Sequence, residues 1–366
     1  MPSPETGREM DCSTTAGTSP SPENSSLDHQ EEETMKLRKM KLALSYAMVV
    51  APVFTQAAEP QVTAPRVVQA LEATFGVHQG ERRNHIKGSC AVGEFTATAE
   101  AARYSRSTLF SGQAVPVIAR FSLAGGNPKA PDVAQSARGM ALQFKLPKGQ
   151  LHQMSMLNTP MFGAAHPGTF LDLIEAQRPD PATGKPDPEK LKAFRASHPD
   201  NLAQAQYLAS HNPPDSYTRS AFFGIHTFKF INAQDKVTLV RWRFVPQEGE
   251  KPLSNEALKT AGSDFLETAL ISSTSKKTAR WDMLVTVGQP GDAQDDPTQS
   301  WPAQRPEFKA GTLTITSAST QKGGLCEPIN FDPMVMADGI APTNDPVLHF
   351  RSRAYAVSFG KRLSGQ

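Results

Sequence analysis

The chain has 366 residues, 38% of them hydrophobic, and a formal net charge of +2. That supplies a full-sized core in one large domain or two, and the near balance of charge, with no basic stripe, points away from nucleic acid or an anionic membrane surface and towards small ligands. Three cysteines, Cys12, Cys90 and Cys326, show no metal-ligand spacing, which argues against a zinc site.

In chain order, residues 1–34 are rich in Pro, Ser, Thr and Glu with few apolar side chains, and are expected to be disordered. Met35 then opens a basic run (Lys36, Arg38, Lys39, Lys41), followed by an apolar stretch from Leu42 to about Phe54 and small residues at Ala57 and Ala58. This is the layout of a secretory signal peptide over 35–58, and the apolar stretch is too short for a stable membrane span. Because such signals begin a chain, translation is expected to start at Met35, with 1–34 an untranslated extension. The mature protein, 59–366, is then expected to be exported, or periplasmic, as a single domain. It retains only Cys90 and Cys326, and nothing in their spacing says whether they pair.

Beyond residue 60 there is neither linker nor repeat. "APRVVQALEATFG" (64–76) spaces Val67, Leu71 and Phe75 as one helical face and stops at a glycine. Strand-like runs rich in β-branched and aromatic residues follow at 93–101, 115–124, 138–146, 225–233, 236–245, 280–288 and 311–319. Helices are expected at 170–177, 188–198, 201–211 and 263–272. Consecutive strands with inserted helices predict an α+β chain in which an antiparallel sheet closes into a barrel.

The last segment, "DPVLHFRSRAYAVSFGKRL" (345–363), places Arg351, Tyr355 and Arg362 four and seven residues apart, on one face of a helix. By itself this could be a solvated face. Tyrosine, however, is one of the few side chains that ligate ferric haem through oxygen, as phenolate. A phenol ionises near pH ~10 in water, so such a ligand needs a cation beside it, and Arg351 stands one turn away. Arg362, two turns further on, suits a haem propionate. Peroxide chemistry also needs an acid–base group across the ring. His85 in "RRNHIKGSCAVGEF" and Asn158 in "LNTPMF" are candidates, although a lone histidine is more often structural.

Taken together, "RRNHIKGSCAVGEF", "ARFSLAGG" with "ARGMALQF", "LNTPMF", "FFGIHTFKFIN" and "FRSRAY", in this order, resemble the motifs of haem catalases from about residue 78 onward. The chain looks most like the minimal branch, the catalase-related peroxidases. The resemblance implies a catalase-like β-barrel with haem b bound through the oxygen of Tyr355, the metal ligand. It implies Arg351 as the phenolate's partner, with His226 and Asp345 orienting that guanidinium. Arg82, Arg120 and Arg362 would hold the propionates, and His85 and Asn158 would form the catalytic pair, with Ser122 fixing the His85 ring. His85 would carry a proton from the near peroxide oxygen to the far one.

The expected partners are a peroxide and a small organic electron donor. No nucleic acid or membrane is expected, and a homo-oligomer is compatible with the resemblance. Against larger catalases, Ser136 replaces a channel carboxylate, Leu157 replaces an amide, and the distal phenylalanine would fall near Ala165 and His166, where none stands. These changes favour bulkier peroxides and donor oxidation. The alternatives are a minimal true catalase, a non-enzymatic haem-binding envelope protein, and a haem lyase or isomerase of fatty hydroperoxides.

Overall fold

A computed structural model describes residues 62–366; the extension and signal segment expected at 1–58 lie outside the described residues. The strands are β1 (Gly88–Ala97), β2 (Ala114–Leu123), β3 (Arg138–Lys145), β4 (Leu151–Leu157), β5 (Phe222–Phe223), β6 (Phe228–Ile231), β7 (Val237–Pro246), β8 (Ala279–Val287), β9 (Glu307–Thr320) and β10 (Ile340–Pro342). The helices are α1 (Ala64–Phe75), α2 (Ala101–Tyr104), α3 (Pro167–Ala176), α4 (Pro188–Ser197), α5 (Leu202–Ser210), α6 (Asn255–Thr260), α7 (Phe265–Lys276) and α8 (Pro346–Leu363).

All strand pairings are antiparallel, and the pairing of β7 with β8 closes the ring β7-β5-β4-β3-β2-β1-β9-β8, with β6 and β10 extending from β7 as a flap. Each expected strand is present, and the barrel closes as expected. The sequence reading lacked β4, β5 and β10. β5 and β10 are too short to carry a periodic signal, whereas β4 alternates correctly but is built from Leu, His, Gln, Met and Ser, which lack strand propensity.

Alternation along the strands decides what each face does. Phe121 of β2, Met140, Leu142 and Phe144 of β3, and Met154 and Met156 of β4 point into a solid interior shared with Phe95, Phe244 and Trp281. Phe95 and Phe144 meet there edge to face at 5.7 Å. The barrel is thus filled, and any ligand must lie outside it.

On the outer face, α1, α3 and α8 pack through Val67, Leu71, Leu171, Ile174 and Phe350. Thr63 caps α1, and Gly76 ends it at φ +86°, a conformation that favours glycine. Glu72 of α1 accepts from Arg83 Nε at 2.6 Å and from Lys361 Nζ of α8 at 2.8 Å. Burial pushes its carboxyl up, but the bonds and charges of Lys361 and Arg83 outweigh it and hold the group below its ordinary value. This clamp joins α1, the 81–83 segment and α8.

Candidate active site

Between the outer face of β2–β4 and helices α1, α3 and α8 lies a cleft of about 1310 Å³, partly open to solvent. Its lining includes His85, Ser122, Arg82, Arg120, Arg351, Tyr355 and Arg362, seven of the ten residues singled out from sequence.

One wall is α8. The phenol oxygen of Tyr355 accepts from Arg351 Nη2 at 2.8 Å, and Arg351 Nη1 donates to His226 Nε2 at 2.9 Å. Because a guanidinium cannot accept, His226 Nε2 carries the lone pair and Nδ1 the proton, which goes to Asp345 Oδ2 at 2.6 Å. Burial dominates the shift of His226 and pushes its pKa down, so the imidazole is neutral and its contact with Asp345 is a hydrogen bond. The other oxygen of Asp345 caps α8, accepting from Val347 N at 2.8 Å and Leu348 N at 3.1 Å. Asp345 therefore serves as helix cap and as relay at once. The relay places His226 and Asp345 behind the wall, and the stripe expected for Arg351, Tyr355 and Arg362 faces the cleft as one surface.

The opposite wall is the barrel. His85 Nδ1 lies 3.0 Å from Ser122 Oγ, and the ring sits over Gly139, where an added Cβ would come within 2.8 Å of that hydroxyl and 3.2 Å of the imidazole. His85 has φ +52°, a left-handed backbone that a non-glycine residue adopts only when its surroundings impose it. Its peptide carbonyl is held by Arg120 at 2.5 Å and its amide by Asn84 Oδ1 at 2.9 Å. Burial, and then the charges of Arg120, Arg351 and Arg82, push the imidazole down to about 3, so it is a neutral base.

Asn158 is placed differently. It follows Leu157, which lines the cleft, but is not itself a lining residue; its Oδ1 accepts from Arg138 N at 2.7 Å. Ser136 is turned to the carbonyl of Ala124 and also stands outside the lining. The aromatic rings that face the cleft on this side are Phe162 and Phe170, 5.9 Å apart, with Ala165 instead bonded through its amide to Asp200. Val67, Val68 and Leu71 of α1 complete a mostly apolar lining. These contributors were not read as site residues. The apolar face of α1 was visible, but periodicity does not say what that face covers.

Arg82, Arg120 and Arg362 converge at one end. Burial comes first in pushing all three down, and the charge of Arg362 adds to it at both Arg82 and Arg120. Guanidinium groups nonetheless keep their protons. Among the described residues none of the three has a carboxylate within 4.0 Å; Arg82 instead donates to the carbonyls of Cys326, Glu327 and Ile329 at 3.3, 3.1 and 2.8 Å. A crowded cation cluster in which no guanidinium is ion-paired fits a ligand carrying carboxylates, and a phenol oxygen backed by Arg351 fits a ferric centre. The residues present thus fit a haem. Among the described residues, no three His, Cys, Asp or Glu side chains gather as a separate metal site.

Comparison with known proteins identifies the family and the fold. The family model described as Catalase matches residues 74–366. A catalase-related peroxidase of Synechococcus elongatus is 57% identical over 327 residues, covering 88% of this chain and 96% of its own length. A second catalase-related peroxidase, of Mycolicibacterium paratuberculosis, is 34% identical over 298 residues, with 81% and 94% covered. A fungal catalase crystal structure shares the fold, with a TM-score of 0.73 at 24% identity over 78% of this chain and 60% of its own. On a family match spanning most of its length and relatives covered almost end to end, the chain belongs to the catalase family.

Proposed function

We propose that this chain is a haem-dependent peroxidase that reduces organic hydroperoxides and hydrogen peroxide at the expense of a small organic electron donor. The observation that carries the reading is the pairing of two walls across one cleft: the relay ending at Tyr355 faces a neutral His85 oriented by Ser122. The catalase family match and the two catalase-related peroxidases support a peroxide-acting oxidoreductase. Haem b, bound through Tyr355, would supply the electron exchange with the peroxide O–O bond.

The protein's own part is positioning and proton handling. In the tautomer whose Nδ1–H donates to Ser122, His85 Nε2 is the free base that takes the proton of a hydroperoxide and returns it to the departing oxygen. Arg351 donates to the Tyr355 oxygen, while Asp345 and His226 fix the plane of its guanidinium. Arg82, Arg120 and Arg362 take the propionates. Leu157, Phe162, Phe170 and α1 exclude water and favour an alkyl-bearing peroxide. Asn158, tied to the backbone of Arg138, would act on peroxide through its amide nitrogen.

Export through the 35–58 segment belongs to the same proposal. Cys90 and Cys326 form a disulfide with Cα atoms 5.3 Å apart, which suits an oxidising compartment. The deciding experiment compares oxygen evolution from hydrogen peroxide with dye oxidation by cumene hydroperoxide on one haem-loaded preparation. Donor oxidation with weak oxygen release supports the peroxidase. Oxygen release matching a full-size catalase, with organic peroxides ignored, replaces it with a minimal true catalase.

A further inference from the structure

The three arginines at the propionate end all donate to one irregular segment, Arg120 donating also to the carbonyl of His85. After β9 ends at Thr320, residues 321–329 supply Gln321 Oε1 to Arg120 Nε at 2.7 Å, the carbonyls of Cys326, Glu327 and Ile329 to Arg82, and the carbonyl of Pro328 to Arg362 at 3.1 Å. No helix or strand stiffens this segment. It contains Gly323 at φ +75°, and Leu325 is 64% exposed. Its anchor is the disulfide from Cys326 to Cys90 on β1, with both cysteines buried and the segment's Gly324 so close that an added Cβ would stand 2.7 Å from Cys90 Sγ.

We propose that the Cys90–Cys326 disulfide is a positioning element for anion binding, holding the 321–329 segment where its acceptors orient Arg82, Arg120 and Arg362 towards the carboxylates of the bound haem. A carbonyl orients a guanidinium only as well as its own backbone is held, and an irregular segment without the crosslink samples positions in which these bonds lengthen. The crosslink bridges 236 residues of chain, so its removal frees the segment locally as well as destabilising the fold. The inference rests on the haem reading above and concerns only the propionate end; Tyr355 and its relay lie on α8 and make no bond to this segment.

The test separates orientation from general stability. Apoprotein is titrated with haem and with haem dimethyl ester, whose carboxylates are blocked, and the ratio of the two affinities is taken for wild type and for the Cys90→Ala, Cys326→Ala double variant. The expected result is a fall in that ratio of about tenfold, the equivalent of one charge-assisted hydrogen bond, with ester affinity changed by less than about twofold. The same ratio is measured on folded wild-type protein before and after reduction by a phosphine, which covers a double variant that fails to fold. Equal weakening of both ligands, or an unchanged ratio, overturns the proposal and leaves the haem reading standing. A wild type that binds neither ligand overturns both.

Discussion

Arg351 lies one helical turn before Tyr355 and donates to its phenol oxygen at 2.8 Å, while the same guanidinium is held from behind by His226 at 2.9 Å. The phenol oxygen thus meets a cation whose orientation is set elsewhere in the fold. Arg351→Ala should weaken haem retention about tenfold to a hundredfold, the range of a lost hydrogen bond to a charged group. Arg351→Lys should recover only part, because lysine cannot bridge Tyr355 and His226 with a planar fork. Tyr355→Phe should abolish the tyrosinate spectrum. Haem titrations and absorption spectra of the three variants check this, and full retention in the alanine variant would refute it.

The two oxygens of Asp345 can be told apart. Asp345→Asn keeps an acceptor for Val347 N and Leu348 N, so α8 should stay capped, but the amide cannot supply a carboxylate to His226 Nδ1–H. The variant should fold with stability within about 1 kcal/mol of wild type yet show an altered haem spectrum, whereas Asp345→Ala should lose about 1–2 kcal/mol more through the cap. Denaturant unfolding and spectra of both variants make the distinction. An asparagine variant spectrally identical to wild type would mean that the carboxylate acts as cap alone.

Gly139 leaves room for the His85 ring. In Gly139→Ala the new Cβ would meet Ser122 Oγ at 2.8 Å and the imidazole at 3.2 Å, so the His85–Ser122 pair must shift from its present geometry. Turnover should fall by about 10²-fold, approaching the effect of His85→Ala, with stability reduced by only about 1–3 kcal/mol. Steady-state peroxide reduction with the folded, haem-loaded variant is the measurement, and unchanged kcat would show that His85 tolerates displacement.

Acid should destabilise the apoprotein through a histidine outside the site. His152 of β4 points into the barrel against Phe144, accepts from Ala337 N at 3.3 Å, and leaves Nε2 without a hydrogen-bond partner among the described residues. Burial pushes its pKa down to about 3. Because the folded value lies below the ordinary ~6.5, the unfolded chain takes up a proton between those limits that the folded chain refuses, so stability falls as pH falls. The loss should reach about 1.4 kcal/mol per pH unit for this group. His85 titrates in the same direction, with less effect because its ring borders the open cleft. Urea unfolding between pH 7 and 4 should show a slope smaller by about one proton in His152→Gln. Equal slopes would show that His152 is protonated in the folded chain.

Much of this architecture was legible in order of residues alone, because the signals are local. Runs of β-branched and aromatic residues marked seven of the ten strands, the spacing 351, 355, 362 determined a shared helical face, and the ordered motifs located His85, Ser122, His226 and the arginines. What only the tertiary structure decided are distances across the chain. The pairing of β7 with β8 closes the barrel, and its filled interior leaves the cleft on the outer face, against α1, α3 and α8. The direction of the relay follows from the meeting of His226 and Arg351 across 125 residues. Whether Cys90 bonds Cys326 depended on β1 and the 321–329 segment arriving side by side. Asn158 was identified by motif, yet its side chain is engaged by the backbone of Arg138. Helical and strand periods are properties of a few consecutive residues. A hydrogen bond or a crosslink depends on two backbones approaching within a few ångströms, and that is set by the packing of the whole core.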